Sequence, residues 1–322
     1  MDPFKGLIDR ELARFERRLD VVLQADVELA HEIARYMATL KGKRLRPALA
    51  LLSAKAAGDW NEQVIDAAVA VEIIHAATMV HDDVVDSATM RRGKEAVNER
   101  WTGQIAVLMG DFLLARALCM LVEVGNLQAL GIVSRATERL SIGEIFEIQI
   151  GDQCDTREES YFAMVSDKTA SLISAAVRIG PILVGAGDEV VQSMGRYGEF
   201  LGRAFQVADD ILDLTSDQVT MGKPVGHDLR EGKITLPLIR ALQRVPAAGC
   251  TEMEALLARP DKDEAEWGQI VAFVEEYEGV AAAAETAREY AAQAQECLGV
   301  LAPSPAREAL ELAVRLVVER NN

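Results

Sequence analysis

Basic charge, proline and uninterrupted apolar runs are all scarce in this chain of 322 residues. The formal net charge is -17 and the pI is about 4.8. We therefore expect no nucleic-acid partner, because binding a polyanion needs a basic face. Proline accounts for only 9 residues and glycine for 23, while hydrophobic residues make up 50%. This composition allows a large core, arranged either as two domains or as one large helical domain.

Cysteine is also rare, and its spacing fits no zinc site. The four cysteines are Cys119, Cys154, Cys250 and Cys297. We expect no secretory signal before them, and so reduced thiols in a cytoplasmic protein. The longest apolar stretch, residues 105–124, is interrupted by Asp111, Arg116 and Glu123. We predict from it a buried central helix and not an integral membrane protein.

The remaining pattern is helical almost throughout, with no alternating strand pattern and with Gly or Pro at intervals of one helix length. The predicted helices are 4–24, 27–40, 45–57, 61–86, 94–101, 104–124, 127–150, 158–185, 188–214, 231–243, 250–258, 266–275, 278–297 and 304–320. The glycine-bearing stretch 215–232 is long enough to be a lid over a site. The chain after about residue 247 carries no motif and is interpreted as helical packing.

Three carboxylates fall within five residues at the end of one predicted helix: Asp82, Asp83 and Asp86. Asp82 and Asp86 are one turn apart on one face. A helix C-terminus is the negative end of the dipole, so three acids there need a counter-charge, and a divalent cation would supply it. The pattern recurs once, among apolar neighbours: Asp209, Asp210 and Asp213. Two copies facing each other across one cavity could hold several magnesium ions through oxygen ligands.

Basic and polar residues near these motifs suggest diphosphate binding. Lys43 and Arg46 lie beside the predicted start of a helix, which is an anion site by both dipole and charge. The other candidates are His75, Arg91, Arg92, Lys168, Thr169, Gln206, Lys223 and Lys233. The paired arginines either neutralise the first acidic cluster or grip phosphate oxygens. Walls of Ala, Leu, Ile and Met suit an apolar substrate tail.

At this point the sequence resembles the trans-isoprenyl diphosphate synthases, also called the polyprenyl synthase family. The resemblance covers roughly residues 40–240. The matching segments are GKRLRP at 42–47, HDDVVDSATMRRG at 81–93, SDKTASL at 166–172, FQVADDILD at 205–213 and GKPVGHDLREGKITLPL at 222–238. The details are most similar to the long-chain bacterial branch, which includes the octaprenyl diphosphate synthases.

The resemblance implies an all-α fold, a single domain over residues 1–322 with helices around a central cavity, and a homodimer. It implies that magnesium bridges Asp82, Asp86 and Asp209 to an allylic diphosphate. Arg91, Lys168 and Lys233 would hold that diphosphate, and the diphosphate of isopentenyl diphosphate would be held by Lys43, Arg46, His75 and Arg92. Thr169 and Gln206 would place oxygen dipoles near a developing cation. Glu147 stands where relatives often carry Gln, and no role is assigned to it.

Product length is predicted from helix geometry. The growing tail would run from Asp82 towards the start of its helix, past Thr78 and Ala77 and then Ile74. Short-chain relatives often place aromatic rings at the first two positions, whereas here both residues are small. We therefore expect a product of about C40 from a farnesyl diphosphate primer. The alternatives are a shorter-chain synthase, a class I terpene cyclase and a non-catalytic subunit of a heteromeric synthase.

Overall fold

The computed structural model describes residues 6–40, 42–58, 60–215, 226–259 and 261–319. Helices dominate these residues, and the all-α prediction is confirmed. The helices of the first half are α1 (Asp9–Val22), α2 (Glu28–Thr39), α3 (Leu45–Ala57), α4 (Glu62–Val85), α5 (Val97–Arg100), α6 (Gly103–Val124) and α7 (Leu127–Gln153). Those of the second half are α8 (Glu158–Val165), α9 (Ser171–Leu183), α10 (Asp188–Thr215), α11 (His227–Arg230), α12 (Leu236–Arg244), α13 (Ala247–Leu257), α14 (Glu264–Glu276), α15 (Gly279–Cys297) and α16 (Pro305–Glu319).

The chain divides into two compact units, each assembled from separate segments. The first comprises Met1–Glu138, Leu172–Gly198 and Cys297–Ala313. The second comprises Arg139–Ser171, Glu199–Glu296 and Val314–Asn322. The single domain over residues 1–322 and its central cavity remain predictions.

Helix α4 is the core of the first unit. Its residues from Ala67 to Ile74 are all buried, and the helix packs against α1, α3, α5 and α6. The Asn61 side chain caps its start by accepting a hydrogen bond from the Val64 N–H at 3.1 Å. A helix that is apolar on all sides is stable only inside a protein or a membrane. Burial of the middle of α4 therefore holds the helix in place and, with it, the first acidic motif at its C-terminal end.

Helix α6 differs from the buried central helix that the sequence predicted. Both α4 and α6 are long and apolar enough to span a membrane by length and composition, but only 39% of the apolar window of α6 is buried, against 67% for α4. One face of α6, with Met109 and Leu113, packs inward. The opposite face exposes apolar side chains: Val107, Leu108, Leu118 and Val122. The prediction was wrong because apolar residues occur all round this helix, and such a distribution does not show which side is covered.

Two further boundaries differ from prediction. The helix predicted over 94–101 is confirmed only as the short α5, because Lys94 and Glu95 form strand β2, which pairs with β1 (Met90–Arg91) in a two-stranded hairpin. Strands of two residues are too short to show an alternating pattern. The helix predicted over 231–243 begins only at Leu236, since Gly232 before it adopts a φ of +83°. Most of the predicted lid, including Lys223, lies outside the described residues.

The second unit has its own apolar core, formed by α8, α10, α12, α14 and α15. Val207, Ile211 and Leu214 of α10 are buried in it. The helix predicted over 158–185 is interrupted by one π-helical turn, Ser166–Ala170, between α8 and α9. Such turns insert one extra residue into a helix and are frequent at functional sites.

Candidate active site

The first acidic motif lies at the C-terminal end of α4, as predicted. Asp86 caps the helix, and its N–H donates to the Asp82 carbonyl oxygen at 2.8 Å. Asp82 is half-buried and Asp86 is exposed, whereas Asp83 is only 3% exposed. Asp82 and Asp86 therefore share one accessible face of the helix, and Asp83 points away from it.

Asp83 pairs with Arg91. The guanidinium donates to Asp83 Oδ1 from Nε at 2.8 Å and from Nη2 at 2.5 Å. Arg91 is brought there by the hairpin, whose two-residue turn, Arg92-Gly93, has φ values of 51° and 76°. Positive φ at both turn positions matches a type I′ turn, which favours Gly second. The sequence left two roles open for the paired arginines: neutralising the acidic cluster or binding phosphate. The ion pair with Asp83 fits the first role for Arg91.

We expect Arg91→Ala to lower the free energy of unfolding by about 2 to 3 kcal/mol, because the buried Asp83 carboxylate would lose its charged partner. Arg92→Ala is the matched control: Arg92 is exposed, and its Nη1 donates to the Leu40 carbonyl at 2.5 Å. Its loss should cost less than about 1 kcal/mol. Urea denaturation of both variants would measure the difference. Equal destabilisation would contradict the structural role of the Asp83–Arg91 pair.

A cavity of about 100 Å³ lies in the first unit beside this motif. Its walls are partly apolar, with Leu23, Met37 and Met79 among them. Its polar lining consists of Arg44, Glu72, His75, Asp83, Arg91 and Arg92. A pocket with apolar walls and a few convergent polar groups is typical of a small-molecule site.

Arg46 lies near His75, one of the residues that line this cavity. Burial lowers the pKa of His75 well below its usual value, and the nearby charges of Arg46, Arg92, Arg91 and Arg44 lower it further. Burial also lowers the pKa of Arg46. Arg46 Nε has no hydrogen-bond partner among the described residues, although it is buried. Because an unpaired buried donor is costly, this guanidinium is suited to receive an anion.

The start of α3 differs from the predicted anion site. The helix begins at Leu45, and Arg44 before it adopts a left-handed φ of 51°. Lys43 is exposed and precedes the helix, so helical spacing does not relate its side chain to that of Arg46. Arg44, which sequence reasoning missed, donates to Glu72 at 2.8 Å and to Glu16 at 2.9 Å. The sequence could have indicated this pair, because Glu72 is an acidic residue within the apolar run of α4 and needs a basic partner there.

In the second unit, the π-helical turn presents Lys168. Its Nζ lies 2.8 Å from Glu144 Oε2 and 2.5 Å from Glu147 Oε2, both on α7. Burial opposes the charge, but Glu147 and Glu144 outweigh it and raise the pKa of Lys168. Helix α7 approaches closely because of Gly143: a Cβ there would lie 2.4 Å from the Lys168 backbone nitrogen. Glu147, left without a role by the sequence, therefore helps to hold Lys168.

Thr169 and Gln206 belong to a hydrogen-bond chain. Thr169 Oγ1 donates to Gln206 Oε1 at 2.8 Å, and Gln206 Nε2 donates to Asp210 Oδ1 at 3.0 Å. Tyr161 donates its hydroxyl to Asp210 Oδ2 at 2.6 Å. Burial raises the pKa of Asp210 to about 7, with a contribution from the charge of Asp228, while the Tyr161 and Gln206 hydrogen bonds act in the opposite direction. Sequence reasoning missed Tyr161, which is far from the motif along the chain.

The second acidic motif repeats the arrangement of the first. Asp209 is exposed and Asp213 is half-buried, four residues apart on α10, whereas Asp210 is 3% exposed. Asp213 Oδ2 accepts the Asp228 N–H at 3.1 Å. In both motifs, then, the first and last carboxylates are accessible to solvent and the middle one is buried. Lys233, one of the predicted diphosphate-binding residues, forms an ion pair with Glu231 at 2.7 Å.

These two accessible pairs are the candidate metal ligands. Across the described ranges, no three His, Cys, Asp or Glu side chains form a cluster that could hold a metal by themselves. Magnesium does not need one, because it commonly binds one or two carboxylates and takes its other ligands from substrate phosphates and water. Each pair by itself therefore fits magnesium held jointly with a diphosphate. Asp83 and Asp210, predicted as further ligands, contact Arg91 and the Tyr161 and Gln206 donors respectively, and their role as metal ligands stays a prediction.

The chain is similar to known proteins over most of its length. Residues 27–274 match the family described as Polyprenyl synthetase. The chain is 36% identical to the octaprenyl diphosphate synthase of Escherichia coli, over 100% of this chain and 99% of that protein. It is 33% identical to a short chain isoprenyl diphosphate synthase of Methanothermobacter thermautotrophicus, over 95% of each.

A solved structure is similar over the same length. It is that of a polyprenyl synthase from Caulobacter crescentus, complexed with calcium and isoprenyl diphosphate, with a TM-score of 0.93 and 34% identity. The similarity covers 100% of this chain and 98% of that one. The chain belongs to the polyprenyl synthetase family and is a prenyltransferase, a trans-prenyl diphosphate synthase.

Proposed function

We propose that this enzyme makes a long-chain product of about C40, by sequential condensation of isopentenyl diphosphate onto an allylic primer such as farnesyl diphosphate. The observation that carries the condensation of two diphosphate substrates is the arginine-lined cavity of the first unit. Arg92 and His75 line it, and Arg46 stands close to His75 with a buried, unpaired Nε. It supplies an anion site in addition to the acidic motifs, as two diphosphate substrates require. A terpene cyclase takes a single diphosphate and has no need of it.

The proposed chemistry is ionisation of an allylic C–O bond. Asp82 and Asp86, with Asp209 and Asp213, would hold magnesium, which neutralises the leaving diphosphate when bound. Lys168 and Lys233 would bind the same diphosphate, Lys168 with its charge secured by Glu144 and Glu147. Fixed charges of this kind stabilise the transition state without reorganisation. The isopentenyl double bond then attacks the allylic carbon, and the proton is lost to the released diphosphate.

The long-chain assignment rests on α4. Ala77 and Thr78 are small, and Ile74, one turn further from the motif, is the next side chain on that path. The relatives include both an octaprenyl and a short chain synthase, so a shorter product is the alternative. A non-catalytic subunit is disfavoured because all six aspartates of the two motifs are retained.

We also propose that the enzyme is a cytoplasmic homodimer. The exposed apolar face of α6 supports the dimer: Leu118 is 46% exposed and Val122 is 64% exposed. Contiguous apolar patches on a soluble protein commonly mark protein contacts. Light scattering after size-exclusion chromatography would distinguish a dimer from a monomer.

The experiment that tests the function is a steady-state assay of the purified protein with radiolabelled isopentenyl diphosphate and magnesium. Geranyl, farnesyl and geranylgeranyl diphosphates serve as primers, and the dephosphorylated products are separated by reversed-phase chromatography. We expect turnover with at least one primer and products near C40. Absence of incorporation with every primer would refute the proposal, and products of C15–C20 would favour the shorter-chain alternative.

Arg92→Gln should raise the KM for isopentenyl diphosphate by about tenfold or more, because one charge-assisted contact to a diphosphate is lost. The KM for the allylic primer should change much less. Arg100→Gln is the control, since Arg100 lies on the neighbouring α5 and stacks over the Tyr36 ring at 4.5 Å. Initial rates measured against each substrate in turn separate the two constants. Equal increases in both constants would argue against a separate isopentenyl diphosphate pocket.

A further inference from the structure

The π-helical turn Ser166–Ala170 contacts both α7 and α10 within the second unit. The Ser171 N–H closes the turn on the carbonyl oxygen of its first residue, a step of five residues where an α-helix takes four. Both neighbouring helices approach the backbone of the turn through a glycine. A Cβ on Gly143 of α7 would lie 2.4 Å from the third residue of the turn, and a Cβ on Gly202 of α10 would lie 2.5 Å from its last residue.

The first two side chains of the turn are held by charged residues of the same two helices. Arg139 of α7 donates from Nε to Asp167 Oδ1 at 2.6 Å and from Nη2 to Ser166 Oγ at 2.8 Å. Ser166 in turn donates its hydroxyl to Glu199 Oε1 on α10. Arg203, one turn further along α10, donates from Nε to the same Glu199 oxygen at 3.1 Å. One guanidinium therefore holds two successive side chains through two different nitrogen atoms.

The next two side chains are those of Lys168, which faces acids on α7, and Thr169, which faces α10. Each residue advances a helix by roughly 100°, so the place of the extra residue decides which side chains face which helix. Buried side chains hold the helices on either side, with Val165 before the turn and Leu172 after it. The extra residue could still move by one position without displacing those helices. Its present place therefore depends on contacts made by the turn itself.

We propose that Arg139 is a positioning residue: by holding Ser166 and Asp167 it fixes the place of the π-helical turn and so orients Lys168 and Thr169 for the reaction. That Lys168 binds the allylic diphosphate rests on the proposed function, whereas the effect of Arg139 on the turn does not. Without Arg139, Ser166 and Asp167 each lose a charge-assisted donor. Neighbouring places for the extra residue then become populated, and Lys168 leaves its present position in a fraction of the molecules.

Crystal structures of two variants test the effect on the turn without any substrate. Arg139 is 41% exposed, so Arg139→Gln should fold, but an amide cannot reproduce the contacts of a guanidinium. We expect the wide turn to be displaced and Lys168 Nζ to have moved away from its two acids. Arg240→Gln is the matched control, since Arg240 donates to Glu158 at 2.8 Å, at the start of α8 in the same unit. An unchanged turn in Arg139→Gln, or an equal displacement in Arg240→Gln, would overturn the inference.

Binding of an inert primer analogue tests whether Arg139 acts through Lys168. The probe is farnesyl thiolodiphosphate with magnesium, measured by titration calorimetry. Arg139→Gln should weaken its binding about tenfold, the order expected when a charge-assisted contact is lost. In the Lys168→Met background the same change should weaken binding by less than about twofold, because the group that Arg139 positions is already absent. Additive losses, or an equal loss in Arg240→Gln, would contradict the proposed role.

Steady-state kinetics separate positioning from a general loss of stability. Arg139→Gln should lower kcat and raise the KM for the allylic primer, each about tenfold, and should change the KM for isopentenyl diphosphate less than about twofold. Arg139→Lys should fall between the wild type and Arg139→Gln, because a single ammonium can reach only one of the two partners. Equal increases in both KM values would overturn the inference.

Asp167→Asn breaks the same ion pair from the other side and replaces Arg139→Gln in every measurement if that variant does not fold. The same displacement of the turn and the same loss of primer binding are expected. A wild type that neither binds the analogue nor turns over would refute the proposed function. The two crystal structures would still decide whether Arg139 fixes the turn, which keeps the two failures distinct.

Discussion

Asp82→Asn should lower kcat roughly a thousandfold, because a carboxylate that would hold magnesium against the leaving diphosphate is replaced by a neutral amide. Asp209→Asn should have a similar effect. Both residues are the accessible first members of their motifs, so their replacement should leave the fold intact. Steady-state kinetics over a range of magnesium concentrations would measure the loss, and circular dichroism would verify the fold.

The middle aspartate of each motif provides an internal comparison. Asp83 is buried against Arg91, so Asp83→Asn should mainly lower stability, by about 1 to 3 kcal/mol. Asp66→Asn is the surface control on the same helix, since Asp66 pairs with Arg18 at 2.6 Å, near the start of α4. It should leave kcat unchanged. Near-normal turnover of Asp82→Asn at saturating magnesium would refute the two-motif metal site.

An aromatic ring on α4, one turn before the acidic motif, should shorten the product from about C40 to C15–C20. A helical turn rises about 5.4 Å, close to the length of one extended isoprene unit, so a ring at the first open turn would stop the tail early. Ala77→Tyr and Thr78→Phe are the two variants. The first condensation should stay fast in both, because neither change touches the carboxylates.

The structure distinguishes these two variants. Ala77 is fully buried, so a Tyr there also overpacks the core, at about 1 to 3 kcal/mol. Thr78 is half-buried, and its hydroxyl donates to the His75 carbonyl of its own helix, so Phe fits with less strain. Glu62→Tyr, at an exposed position in the first turn of α4, is the control for adding a ring. Reversed-phase chromatography of the dephosphorylated products would report chain length, and an unchanged distribution in both variants would mean that the tail takes another route.

The sequence by itself determined the all-α class, most helix positions, the location of both acidic motifs and the family. Helical periodicity and capping are local properties, so they can be read along the chain without knowing what packs where. The end of α4 at Val85 is an example, since the predicted helix over 61–86 agrees with it to within one residue at each end. The five matching segments were sufficient to identify the family, because their order and spacing along the chain are specific to it.

Only the tertiary structure decided which member of each motif is accessible and which is buried. Asp82 and Asp83 are adjacent and chemically identical, yet Asp83 is buried against Arg91, because the hairpin turns back onto α4. The partners of Lys168 and Asp210 lie far from them in sequence: Glu147 is 21 residues from Lys168, and Tyr161 is 49 residues from Asp210. The uncovered face of α6 was equally unpredictable from its composition. Such pairings depend on how separate helices pack, and no local pattern encodes that.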